Sequence, residues 1–171
     1  MNRKKKILIN LAIIILLGYF ILLQMGLHFT AISAYRDGER TFHFGPSKIV
    51  HMKDVDNKKY ILGTYKNYFS RNIVKHFFVF WYPFDVGVHI GVDKKKAFNY
   101  SGSLSDQQSD VFGMINDERI TKIQVVFTSG GVLNQTKFYD RMFLFVWKSN
   151  DQLAYVRGYD KQGNLIYEEK H

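Results

Sequence analysis

"IVKHFFVFWYPFDVGVHIGV", residues 73–92, is a mostly apolar stretch long enough to cross a bilayer as a helix. Its contents argue against that. Lys75, His76, Asp85 and His89 are polar or charged, and Pro83 falls past the middle. A charged side chain near the centre of a span costs about 2.5–3.5 kcal/mol. Val86, Val88, Ile90 and Val92 alternate with Gly87, His89 and Gly91, a period of two that suits a strand. Folding the stretch about Pro83, Phe84 and Asp85 sets Phe78, Phe80 and Tyr82 opposite Ile90, Val88 and Val86. Phe77, Val79 and Trp81 then lie over Gly91, His89 and Gly87, so aromatic and β-branched side chains meet across the strands. The segment predicts a β-hairpin inside a folded domain.

Similar signals recur outward from it. "TFHFG" (41–45) and "KIVHMKD" (48–54) read as strands around Gly45-Pro46, and "KYILGTY" (59–65) follows the polar turn "DVDNK". Lys66 to Lys75 stays open between strand and short helix, because Tyr68, Phe69, Asn72, Ile73 and His76 share a helical face. Residues 93–110 read mainly as an exposed loop. "VFGMINDERITKIQVVF" (111–127) predicts a hairpin turning at Asn116-Asp117, with Ile123, Val125 and Phe127 on its buried face. "RMFLFVWKS" (141–149) is apolar on both faces, as a central strand is; "SNDQ" turns it into "LAYVRGY". "YDKQGNLIYEE" closes a last hairpin with Gly163 in the left-handed position. With 15 Phe, 11 Tyr and 2 Trp against 2 Pro, the composition also leans to strands. The fold class is therefore mainly β: a compact antiparallel sheet, sandwich or partly closed barrel of roughly nine to eleven strands with turns every 8–12 residues.

The N-terminus is different. Arg3, Lys4, Lys5 and Lys6 precede a mostly apolar run from Ile7 to Leu27, interrupted by Asn10 and Gln24, about 31 Å as a helix against a hydrocarbon core of about 30 Å. The basic flank places residues 1–6 in the cytoplasm. The organisation that follows is a transmembrane helix at 7–29, a short juxtamembrane linker at 30–40 and one extracytoplasmic β domain at 41–171. A cleaved signal peptide is the rival reading, with small residues in "TAISAY", but signal cores are shorter. The bilayer is thus the first expected partner, and the cell membrane the expected location.

The four anchor-flank cations belong to 24 basic residues in all, which leaves 20 against 15 acidic ones in the rest of the chain. That interspersed, mildly basic surface does not form a nucleic-acid stripe. There is no cysteine, which excludes disulfides, thiol nucleophiles and cysteine-ligated zinc and fits a bacterial envelope. The basic-then-apolar start, "GMINDERITKIQV", and "FLFVWK" followed by "YDKQGNLIYE" resemble small N-terminally membrane-anchored exported proteins of Bacillus-type bacteria. The resemblance covers most of the chain and implies location and fold, with no activity and no site.

No pattern of catalytic or metal-binding residues stands out. His43, His51, His76 and His89 are scattered, whereas zinc needs three or four convergent ligands. "DVDNK" begins like a calcium loop but lacks its glycine and terminal glutamate. "SGS" (101–103) and "TSGG" (128–131) do not make a nucleophile elbow, and any two of the acids could be paired for glycoside hydrolysis. The expectation is a non-enzymatic interaction module with no cofactor and no metal. Its contact residues are Trp81, Tyr82 and Phe84 at the predicted turn and Lys94, Lys95 and Lys96 in the loop, facing a protein partner or an anionic cell-wall polymer. The alternatives are an envelope hydrolase with a site assembled from distant strands, and an accessory or inhibitory subunit of a membrane complex.

Overall fold

Helix α1 (Arg3–Gln24) has no buried residue. In this computed structural model, which describes residues 3–85, 87–105, 108–148 and 151–171, it is the one helix long and apolar enough to cross a membrane. It ends earlier than the apolar run does. Gly26 adopts φ 70, Leu27 N–H donates to the Leu22 carbonyl at 2.9 Å, and Gly26 N–H donates to that of Leu23. These crossed bonds form a Schellman cap, and glycine takes its left-handed position without strain. The helix therefore stops at Gln24, not at residue 29.

The segment predicted as a linker is helix α2 (Ala31–Thr41). Thr30 caps it, its hydroxyl accepting from Ser33 N–H at 3.1 Å. Ala31, Ala34, Tyr35, Gly38 and Glu39 are buried, the one-face spacing of an amphipathic helix. The sequence hides the pattern because two of the five are Gly and Glu. Residues 41–45 do not form a strand: Phe42 N–H donates to Gly38, His43 N–H to Arg40 and Phe44 N–H to Glu39, closing the helix.

Twelve strands follow among the described residues: β1 (Lys48–Val55), β2 (Lys58–Tyr65), β3 (Tyr68–Phe77), β4 (Phe80–Pro83), β5 (Val88–Gly91), β6 (Phe98–Ser103), β7 (Ser109–Ile115), β8 (Lys122–Phe127), β9 (Val132–Gln135), β10 (Met142–Trp147), β11 (Leu153–Tyr159) and β12 (Leu165–Lys170). The molecule is mainly β, with antiparallel sheets. One sheet runs β1-β2-β3-β4, with β5 also on β3; a second runs β10-β7-β6 and a third β12-β11-β8-β9. The chain divides into two compact units. The first takes the chain up to Pro46, Met52–Ile61 and Asn72–Gly87; the second takes Ser47–His51, Leu62–Arg71 and Val88–His171.

In the first unit α2 packs on β4. Gly38 is close enough that a Cβ there would rest 3.6 Å from Pro83. The His28 and Trp81 backbones exchange hydrogen bonds of 2.8 and 2.7 Å. Residues 73–85 fold here, with a register other than the predicted one. Its hairpin turns at Phe78-Val79, pairing Phe77 with Phe80, His76 with Trp81, Lys75 with Tyr82 and Val74 with Pro83. Pro83 ends β4 because it has no N–H to continue the ladder, and Phe84 N–H donates instead to the Ile73 carbonyl. The predicted partner of Tyr82, Val86, lies outside the described residues. Phe78 sits at φ 56, where the first position of a two-residue turn ordinarily takes glycine; an aromatic there costs on the order of 1 kcal/mol.

In the second unit Tyr68 to Arg71 of β3 pair with Gly91 to Val88 of β5, so after a turn at Lys66-Asn67 the ambiguous segment is strand and not helix. The β10-β7-β6 and β12-β11-β8-β9 sheets share one core. Phe98, Val111, Phe143 and Phe145 come from the first, and Ile123, Val125, Leu153 and Val156 from the second. Of the arrangements the sequence left open, two sheets on one core match the sandwich. The predicted 111–127 hairpin is absent: β7 pairs on both edges, with β6 and β10, which leaves no edge for β8, and β8 pairs with β11 and β9. β6 occupies part of the predicted 93–110 loop, and β10, though buried on both faces, is at a sheet edge. The β11–β12 hairpin and the positive φ of Gly163 are as expected. Ser149 and Asn150 of the "SNDQ" turn lie outside the described residues.

Candidate functional site

The six predicted contact residues divide between the units. In the first, Trp81 is half-buried: its main chain is pinned to His28, and its ring tilts against His76 at 4.7 Å between centroids. Lys59, paired with Asp54, holds its ammonium 5.6 Å from the centre of the Trp81 ring. Phe84 is exposed, with Lys58 and Lys75 at 4.9 and 5.0 Å over its ring and Tyr82 edge-on at 6.5 Å. The ring quadrupole attracts these cations. Trp81, Tyr82 and Phe84 thus form a cation-rimmed aromatic surface, neither packed core nor bare rings. Nearby His28 is buried with Nε2 3.1 Å from Asp37.

In the second unit Lys94, Lys95 and Lys96 form the turn between β5 and β6. The Asp93 carboxylate accepts from Lys95 N–H at 3.0 Å, and the Asp93 carbonyl accepts from the Asn99 and Asn116 amides at 3.1 and 2.9 Å. The three lysines line an open recess of about 360 Å³ with Asn116, Arg119 and Tyr167. Two of its cations already have carboxylate partners. Lys96 donates to Glu169 at 2.8 Å, and this hydrogen bond raises its pKa. Arg119 forks onto Asp117, and those side-chain and backbone hydrogen bonds bring the Asp117 pKa down from 3.8 to about 2. Burial raises the Tyr100 pKa. Among the described residues of the recess, Lys94 and Lys95 are the cations without a carboxylate partner.

Arg3, Lys4, Lys5 and Lys6 are exposed on the first turns of α1. The histidines are dispersed: His43 closes α2 at φ 52, His51 stacks on Tyr139, His76 packs on Trp81 and His89 lies opposite Ser70. Among the described residues no three His, Asp or Glu side chains converge as a metal centre requires. Ser101 and Ser103 sit on β6, and residues 128–131 form the β8–β9 turn.

Two features escaped the sequence reading. One is the buried pair Arg71–Asp110, 3.0 Å from Nε to carboxylate, with the guanidinium 5.6 Å over the Phe112 ring; residues this far apart in sequence carry no periodic signal. The other is the exposed tip of Phe77, Phe78 and Val79, whose signal, the unbroken apolar run before Trp81, reads equally well as a core strand. No family model, curated protein or solved structure matches the chain.

Proposed function

We propose that this is a single-pass membrane protein whose β units lie on the extracytoplasmic side and serve as a non-enzymatic interaction module for an anionic envelope polymer. The observation that carries the reading is α1. Its aliphatic side chains, such as Leu16 at 70% exposed, have no cover within the chain, and lipid is the solvent that stabilises them. Arg3 to Lys6 at its start favour a cytoplasmic N-terminus. The unpaired Lys94 and Lys95 beside an open recess favour an anionic ligand, since two adjacent cations attract a repeating polyanion at low ionic strength.

A reporter fused after His171 tests the location: activity outside the membrane is expected, and activity only inside overturns it. Purified full-length protein in detergent tests the ligand. Sedimentation with cell-wall polymer at low salt, release at high salt and a several-fold loss with Lys94→Glu/Lys95→Glu are expected. Unchanged sedimentation of that variant overturns the polymer reading.

A further inference from the structure

The hairpin formed by β3 and β4 ends in an apolar, exposed tip: Phe77, Phe78 and Val79 are 66%, 81% and 51% exposed. Phe78 holds a backbone conformation that glycine would adopt freely, and its ring is hardly covered by the chain. The fold gains little from an aromatic there, which directs attention to what lies outside.

The register arranges a gradient along the hairpin. Phe77 is opposite Phe80 beside the apolar turn, His76 opposite Trp81 one step back, and Lys75 opposite Tyr82 one step further. Apolar groups, then amphipathic rings, then a cation is the order met when leaving the acyl region of a bilayer through its interface. A ladder of rings ties this hairpin to α1. Phe29 stacks on Tyr19 at 6.2 Å with 9° between planes, and Phe80 lies 5.2 Å from Phe29. Tyr19 is about five residues, or about 8 Å of helix, before the end of α1, so it belongs to the apolar run. Phe80, and with it the tip, is therefore held alongside the last turns of the helix. Met25, Phe29 and Ile32, on the segment leaving α1, are exposed too.

The geometry points to an interfacial foot: the Phe77-Phe78-Val79 tip inserts into the leaflet from which the C-terminal end of α1 emerges, with lipid at the acyl–headgroup boundary as its partner. The inference rests on the reading of α1 as a membrane span and makes the hairpin a second, peripheral attachment that fixes the tilt of the first unit on the bilayer. Trp81 and Tyr82 then act as interfacial anchors.

The absence of cysteine makes the test clean. Single-cysteine variants of the full-length chain, Phe78→Cys, Leu17→Cys and Lys161→Cys, carry a nitroxide label in vesicles of phosphatidylcholine and phosphatidylglycerol. Accessibility to oxygen, which concentrates in lipid, is compared with accessibility to a water-soluble nickel chelate. Labels at 17 and 78 are expected to favour oxygen several-fold over the label at 161. If 17 favours oxygen and 78 matches 161, the foot is overturned and the span stands. If 78 is shielded from both reagents, the tip is covered by protein, such as a second copy, and the foot is again overturned. If 17 also favours the chelate, the span and the foot fall together.

Discussion

The two units treat large apolar side chains in opposite ways. In the second most point inward: Phe98, Phe112 and Phe143 are fully buried, two sheets close over one core, and only scattered residues such as Val132 and Leu165 are exposed among those described. In the first, α1 and the hairpin tip display Leu, Ile and Phe outward, while the buried set includes a Gly and a Glu on α2. Burying one such side chain contributes about 1.5–3 kcal/mol, so outward display on this scale is stabilised only by a non-aqueous surrounding. The second unit carries its own cohesion, and the first has the outward apolar surface that the proposed bilayer attachment uses. Each unit also has one tryptophan, Trp81 in the first and Trp147 in the second, so Trp81→Phe and Trp147→Phe backgrounds report the units separately.

The largest expected effect breaks the inward-facing side. Asp110→Asn keeps the shape of the side chain but leaves the fully buried Arg71 guanidinium facing a neutral amide. Removing one member of a buried ion pair costs about 3–5 kcal/mol. Denaturant unfolding in detergent micelles, followed through Trp147 in the Trp81→Phe background, should show a loss of that order. A loss below about 1 kcal/mol would mean that the pair is dispensable to the core, because this is the range of exposed pairs.

A smaller effect, of opposite sign, tests the outward-facing side. Phe78→Gly removes an aromatic side chain yet relaxes φ 56, so it should leave stability in detergent unchanged or raise it by up to about 1 kcal/mol. Trp81 fluorescence in the Trp147→Phe background reads this out. A loss of 2 kcal/mol or more, roughly what a buried aromatic would cost, would show that the ring packs inside the fold and would erase the contrast between the units.

The same contrast explains what the sequence disclosed. Fold class and the apolar helix were legible because period-two alternation in "KIQVVF" and a long apolar run broken only by Asn10 and Gln24 are local signals. Pairing partners were not. Ten-residue β3 has room for two partners end to end, β4 and β5, and nothing local says that a strand is shared. β7 looked like one arm of a hairpin because β8 is next in sequence, yet its neighbours come from residues 98–103 and 142–147. For the candidate surface, Trp81, Tyr82, Phe84 and the lysine turn were nominated from residue type alone. The tip was passed over because an apolar run has the same composition whether it faces a core or a lipid.

The smallest effect lies at the rim of the second unit, where polar surface meets water. Arg119 holds the Asp117 pKa at about 2, below its ordinary 3.8. A carboxylate with a depressed native pKa contributes stability that is fully present above about pH 4 and is lost as pH falls through about 2. Arg119 is largely exposed, so solvent screening keeps the contribution small. Carbon-13 NMR of the Asp117 carboxyl should titrate near pH 2, and in Arg119→Ala it should move toward 3.8. The acid-dependent loss of stability between pH 4 and 2 should shrink in step. Titration near 3.8 in the unmodified chain would show that Arg119 is not committed to Asp117. The guanidinium would then join Lys94 and Lys95 as a third cation open to an anion, and the recess would be more basic than its present pairing makes it.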